Sequence, residues 1–141
     1  MESGLRLQIV TPSGSVIDEQ VLEVTAISVE GEFCVLPNHR PVLTSLKTGR
    51  LIAKSEKESF VYLVDAGFFE SGAGHVNIIT PRCVNLSDIN ISEIEQEIIS
   101  LETRLEEFEE DDNKDAADDN VEIDALKSSL EWERTKLTAV R

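Results

Sequence analysis

The sequence predicts an α+β chain: an N-terminal antiparallel β-sandwich over residues 1–86, then a C-terminal antiparallel two-helix hairpin over residues 87–141. Three observations predict it. Apolar residues recur at every second position in the first stretch and at every third or fourth in the second. Charge divides at the same place: residues 1–86 hold ten acids and seven bases, net −3, and residues 87–141 hold eighteen acids and six bases, net −12. Turn residues punctuate the first stretch every 6–12 positions, the spacing of a sandwich or barrel.

Leu5, Leu7 and Ile9 alternate with Arg6 and Gln8, the mark of a half-buried strand, and Pro12-Ser13-Gly14 turns the chain. Val21 to Val29 is a second extended run, rich in β-branched residues and closed by Glu30-Gly31-Glu32. Phe33–Leu36 is short and apolar, and Pro37 ends it. Lys47-Thr48-Gly49 separates Val42–Leu46 from Arg50–Lys54, and polar Ser55–Ser59 leads to Phe60–Val64. Ala66–Glu70 and Val76–Thr80 flank Ser71-Gly72-Ala73-Gly74, a hairpin-like link. With few aromatic residues, the core should be mostly Val, Ile and Leu.

In the second stretch Ile91, Ile94, Ile98, Leu101, Leu105 and Phe108 are spaced 3, 4, 3, 4, 3, a seam for one partner helix. Asn90 followed by Glu93 resembles a capping box that starts this helix. Residues 106–120 form an acidic connector with no apolar period. A second seam follows at Ile123, Leu126, Leu130, Leu137 and Val140, with Glu133 on the step that should be apolar. Folding back gives both seams a partner. Two helices bury little surface by themselves, so the hairpin is a candidate moving part.

The 141 residues carry net charge −15 and are 40% apolar. A chain this long can bury about two-thirds of its surface, enough for a modest core. Such an acidic chain repels phosphate backbones and anionic lipid heads, which argues against nucleic acid and membrane-surface partners. No apolar stretch is long enough to span a bilayer, and Met1-Glu2-Ser3-Gly4 shows no signal peptide, so a soluble intracellular protein is expected. Cys34 and Cys83 lie in apolar or strand-like runs; they could pair, but reduced core thiols are the expectation inside a cell. His39 and His75 stand far apart with no carboxylate or cysteine at ligand spacing, so no metal site is assigned to them. No nucleophile elbow, Ser/His/Asp grouping or dinucleotide loop is present, and no catalytic residue is assigned.

One acidic pattern has a second reading. Asp111, Asn113, Asp115, Asp119 and Glu122 occupy positions 1, 3, 5, 9 and 12 of a calcium loop, which would make residues 111–122 a calcium-responsive module. Ala116 stands where glycine makes the sharp turn and Asp118 where an apolar residue follows, so a solvated connector is the first expectation.

The run Glu30-Gly31-Glu32-Phe33-Cys34-Val35-Leu36-Pro37-Asn38-His39-Arg40-Pro41-Val42-Leu43-Thr44 resembles the signature of the epsilon subunit family of F-type ATP synthases. Gly49-Arg50-Leu51, the Phe60–Gly67 strand and turn, and Val76–Thr80 follow in the family's order. The resemblance spans essentially the whole chain and implies the sandwich-plus-hairpin organisation read above. It implies a non-catalytic central-stalk subunit of a proton-translocating synthase, a peripheral part of the complex on the cytoplasmic face of the cell inner membrane, without direct insertion in the bilayer. The implied partners are the gamma subunit, the membrane c-ring and the alpha/beta catalytic head. Glu32, His39, Pro41 and Leu43 fall where family members meet gamma and the c-ring. For each a plainer role stands beside that one: a solvated acid at Glu32, a structural histidine at His39, loop shaping at Pro41, and core packing at Val42 and Leu43.

In the family the hairpin either folds on the sandwich or extends along gamma into the head, where it blocks ATP hydrolysis. Two departures matter. Some members bind ATP through Ile-Asp-x-x-Arg-Ala at the start of the first helix; the matching positions are Ile89-Asn90-Ile91-Ser92-Glu93-Ile94, with an acid for the arginine and an amide for the aspartate. No ATP binding, and no cofactor, is expected. Inhibitory tails elsewhere set basic residues against an acidic beta segment, whereas this hairpin is net −12. Lys127, Arg134, Lys136 and Arg141 are the bases that would reach the catalytic head, with weaker inhibition than in the family.

Overall fold

The computed structural model of the chain describes residues 4–110 and 116–140. They form two compact units, one reaching Asp88 and the other starting at Ile89. The first unit has ten strands: β1 (Leu5–Thr11), β2 (Gly14–Val21), β3 (Glu23–Ser28), β4 (Gly31–Val35), β5 (Val42–Leu46), β6 (Gly49–Lys54), β7 (Ser59–Val64), β8 (Gly67–Gly72), β9 (His75–Ile79) and β10 (Cys83–Asn85). Two of them, β2 and β10, lie outside the runs that alternation marks.

The strand order is β10-β7-β6-β3-β5-β8-β9-β1-β2, with β4 added on β3. Strand β3 pairs with β6 through Glu23–Thr25 and with β5 only at Ser28↔Leu46. It is the corner where the chain passes from one layer to the other, as strands do at the corners of sandwiches. One pairing departs from the expected all-antiparallel arrangement: β1 runs parallel to β9, Leu7 beside Val76 and Ile9 beside Ile78. The parallel contact arises because the β8–β9 hairpin delivers β9 to the free side of β1 in the same direction.

Leu5, Leu7, Ile9, Val21, Val24, Val35, Leu51, Val64, Val76 and Ile78 fill the space between the layers. Aromatic rings contribute at two places: Tyr62 is buried and stacks with Phe60 at 6.2 Å, and Phe69 is fully buried, with the Phe33 ring edge-on at 4.8 Å and 88°. Such a pair adds about 0.5–1.5 kcal/mol beyond the area it buries. Cys34 corrects the expectation of two core thiols, whereas Cys83 packs against the core. Cys83 is half-buried, and burial pushes its thiol up to about 11. Cys34 points outward from β4, its Sγ 3.6 Å from Glu23 Oε1. A raised thiol pKa keeps Cys83 protonated, and inert, until the pH approaches that value. Iodoacetamide at pH 8 should therefore label Cys34 readily and Cys83 about a hundredfold more slowly, which peptide mass spectrometry would read.

In the second unit Asn90 caps the first helix, α1 (Ile91–Glu110): its Oδ1 accepts from the backbone N–H of Ser92 and Glu93 at 3.0 and 3.3 Å. Leu101 packs with Leu126 and Leu130 of the second helix, α2 (Ala116–Val140), flanked by Ile98, Leu105 and Phe108. The predicted connector over 106–120 is shorter in the structure, because α1 runs to Glu110 and α2 starts at Ala116. Glutamate is a good helix former, so an acidic run without apolar period need not be a loop. Residues 111–115 and Arg141 lie outside the described residues.

Candidate functional site

The loop after β4 is built by a turn. The backbone N–H of His39 donates to Leu36 O at 3.1 Å, Pro37 occupies the second position, and Asn38 takes φ +68° at the third. This is the arrangement of a type II turn, in which asparagine tolerates the left-handed conformation. The segment is thus tightly turned rather than stiffly extended. His39 is exposed, and its Nδ1 lies 2.8 Å from Arg40 O. A carbonyl only accepts, so Nδ1 carries the hydrogen and Nε2 is left for an outside partner.

Pro41 is exposed and abuts the β8–β9 turn, where a Cβ on Gly72 would meet its side chain at 3.5 Å. That turn is Ala73-Gly74, both with positive φ (+50° and +81°), the two-residue form that matches strand twist. The Val42 and Leu43 alternatives resolve in opposite ways. Val42 packs on the core, and Leu43, opposite Glu70, is 78% exposed. Glu32 is exposed but lies within β4, opposite Ile27, not in a turn. Four extended residues, about 13 Å, separate it from the start of the His39 turn. The structure gathers His39, Pro41 and Leu43 at one end of the sandwich and leaves Glu32 along the strand.

A further set of residues escaped the sequence reading. Phe68 on β8, Ile79 on β9 and Val10 on β1 are successive cross-strand neighbours, 61%, 62% and 41% exposed. Each belongs to an apolar doublet: Ile9-Val10, Phe68-Phe69, Ile78-Ile79. Side chains alternate along a strand, so a doublet must send one member outward. The doublets were the available signal. Beside this apolar row runs a polar one, Leu43–Glu70–Asn77–Gln8–Asp18, interrupted by apolar residue only at Leu43. There Arg6 grips Asp18 with two bonds of 3.0 and 2.8 Å, and His75 Nε2 stands 3.0 Å from Glu70. The hydrogen bonds from Arg6 hold the Asp18 carboxyl below the usual carboxylate range. An apolar strip beside a polar row that holds the Arg6–Asp18 ion pair has the anatomy of a protein interface.

Two of the candidate hairpin bases are engaged within the chain. Arg134 Nη2 is 3.2 Å from Glu102, and Lys136 Nζ is 2.7 Å from Glu133; Lys127 is exposed. Asn90, which stands where ATP-binding members have an aspartate, is committed to capping α1. Of the calcium pattern, Asp111, Asn113 and Asp115 lie outside the described residues, and Glu122 falls on α2. Among the described residues no three His, Cys, Asp or Glu side chains gather at metal-ligating range, and no helix is long and apolar enough to cross a membrane.

The profile of the family described as ATP synthase, Delta/Epsilon chain, beta-sandwich domain matches residues 4–86. An ATP synthase epsilon chain of Rickettsia bellii is 34% identical over 108 residues, which are 74% of this chain and 100% of that one. One of Nitratidesulfovibrio vulgaris is 36% identical over 110 residues, 78% of this chain and 82% of that one. A chain in the Euglena gracilis mitochondrial ATP synthase (OSCP/F1/c-ring) shares the fold, with TM-score 0.60, 21% identity and coverage of 92% of this chain and 83% of that one. A chain of the Tetrahymena thermophila central stalk and c-ring does so with TM-score 0.52, 15% identity and coverage of 94% and 96%.

Proposed function

The chain belongs to the ATP synthase delta/epsilon family, and from that premise we propose that it is the non-catalytic epsilon subunit of the central stalk, coupling gamma to the c-ring of a proton-translocating synthase. The observation that carries the gamma contact is the outward row Phe68–Ile79–Val10. A rotating stalk must transmit torque through its subunit contacts, and a dry apolar patch flanked by the Arg6–Asp18 ion pair resists slipping better than a solvated polar face. The end bearing His39, Pro41 and Leu43, together with Glu32 further along β4, supplies the contacts to the foot of gamma and the polar loops of the c-ring. Attachment is peripheral, on the cytoplasmic face of the inner membrane, and needs no cofactor.

The hairpin regulates weakly. Two of its bases are already paired within the chain, and its net charge of −12 opposes docking on an acidic surface. The test is ATP hydrolysis by a catalytic head carrying gamma but stripped of its own epsilon subunit. Both the full chain and a version ending at Asp88 should co-elute with the head. Only the full chain should slow hydrolysis, and addition of salt should strengthen that slowing by screening like charges. Failure of both to co-elute would remove the assignment; equal rates with both would leave a coupling subunit with no inhibitory hairpin.

A further inference from the structure

We propose that Glu70 makes the face bearing the Phe68–Ile79–Val10 row selective for a partner with a lysine or arginine side chain beside its apolar contact, an inference that rests on the reading of that row as the gamma contact. Glu70 lies on β8 two residues from Phe68, so the two side chains leave the same face of the sheet about 7 Å apart. Across the β5–β8 pairing it stands directly opposite Leu43. Both apolar neighbours project into solvent in the free chain. A partner seated on the apolar row therefore covers the Glu70 carboxylate as well.

The charges on this face are unequally matched. Arg6 and Asp18 neutralise one another through two bonds of 3.0 and 2.8 Å. Glu70 has only His75, whose Nε2 is 3.0 Å from its Oε1 and which is charged only when protonated. Among the described residues Oε2 has no hydrogen-bond or ion-pair partner. The face thus presents one uncompensated carboxylate, held in direction by the histidine and framed by Leu43 and Phe68. An apolar or acidic surface placed over it would strand a desolvated charge. A lysine ammonium or an arginine guanidinium there instead donates a charge-assisted hydrogen bond to Oε2. Selection then comes as much from rejecting surfaces that lack the cation as from attracting one that has it.

Titration of a cognate gamma subunit with the full chain tests this. Glu70→Gln keeps the shape of the side chain and removes its charge. It should weaken binding about tenfold at about 50 mM salt and less than about threefold at about 0.5 M, where charge pairs are screened. Glu56→Gln removes one exposed acid from the turn between β6 and β7 and reads the general effect of net charge. That variant should stay within about twofold of the parent. Equal losses from the two glutamine variants would overturn the proposal. If gamma brings no cation, Glu70→Gln relieves a desolvated carboxylate, and binding is equal to the parent's or tighter. That result, with Phe68→Asp failing to bind, would overturn the proposal and leave the apolar contact standing. Parent-like binding by both Glu70→Gln and Phe68→Asp would remove the contact and the proposal together.

Discussion

Alanine at Gly67 is expected to unfold the sandwich near room temperature or to lower its melting point by about 10–20 °C. The reason is the path of the backbone. A Cβ built on Gly67 would collide with Ile79 O and lie 3.0 Å from Thr80 Cα. Neither atom is the end of a side chain that can swing aside; both belong to β9 and the residue that follows it. Thr80 is itself fixed, with its Oγ1 bonded to Asp65 O at 2.8 Å and its N–H to Val10 O at 3.1 Å. Relief thus requires shifting β8, β9 and β1 together. Overpacking costs about 1–3 kcal/mol and more where nothing yields, and each kcal/mol moves the midpoint of a domain this size by about 4–8 °C. Gly49→Ala is the control, since its Cβ would meet only the Ile27 Cδ1 tip at 2.9 Å, and the loss should be a fraction of that at Gly67. Tyr62, buried in the sandwich, and Trp132, on α2, are the sole residues of their types, so near-ultraviolet circular dichroism and fluorescence follow the two units separately. A Gly67→Ala chain melting within 3 °C of the parent, as judged by Tyr62, would contradict the close approach.

The strands that were legible are those with one face in the core. Leu5, Leu7 and Ile9 announce β1 because their intervening partners Arg6 and Gln8 are polar. Strand β2 hid its period behind Asp18-Glu19-Gln20, which an edge strand paired on one side can carry at little cost. Cys34 misled for the converse reason: it lies in an apolar run, but between Phe33 and Val35 its position on β4 faces water. The type II turn at Pro37-Asn38 was written in the residues themselves, since proline and a left-handed asparagine ask for it. Glu133 was visible as a break in the seam, but its partner was not, because Lys136 lies off the apolar repeat. The outward apolar row proposed to meet gamma was the least legible part. Val10, Phe68 and Ile79 are separated by up to 69 positions, and they meet only through the β8–β9 hairpin and the parallel β1–β9 register. Nothing local in a sequence specifies a parallel pairing between its first strand and its ninth.

Aspartate at Phe68 is expected to weaken binding of a cognate gamma subunit by a hundredfold or more while leaving the sandwich folded. Phe68 sits between Ser45 of β5 and Ile79 of β9, on the outer side of the layer, and is 61% exposed in the free chain. Replacing it there strips no core contact, because its neighbour Phe69 holds the inward position. The stability change should stay within about 1 kcal/mol, the span of strand propensities. In the complex the arithmetic reverses. A central aromatic anchor removed from a dry interface costs about 2–4 kcal/mol, and a carboxylate left there without a partner adds to the loss. A hundredfold is about 2.7 kcal/mol, so the prediction asks only for the lower part of that range. Titration calorimetry should show Phe68→Asp and Ile79→Asp weakened alike, since the two residues are direct cross-strand partners. Leu43→Asp probes the other part of the assignment: it should weaken gamma binding less than Phe68→Asp does and also impair assembly with the c-ring. If Phe68→Asp binds gamma as the parent does and Leu43→Asp does not, gamma docks at the His39–Leu43 end, and the apolar row serves another contact.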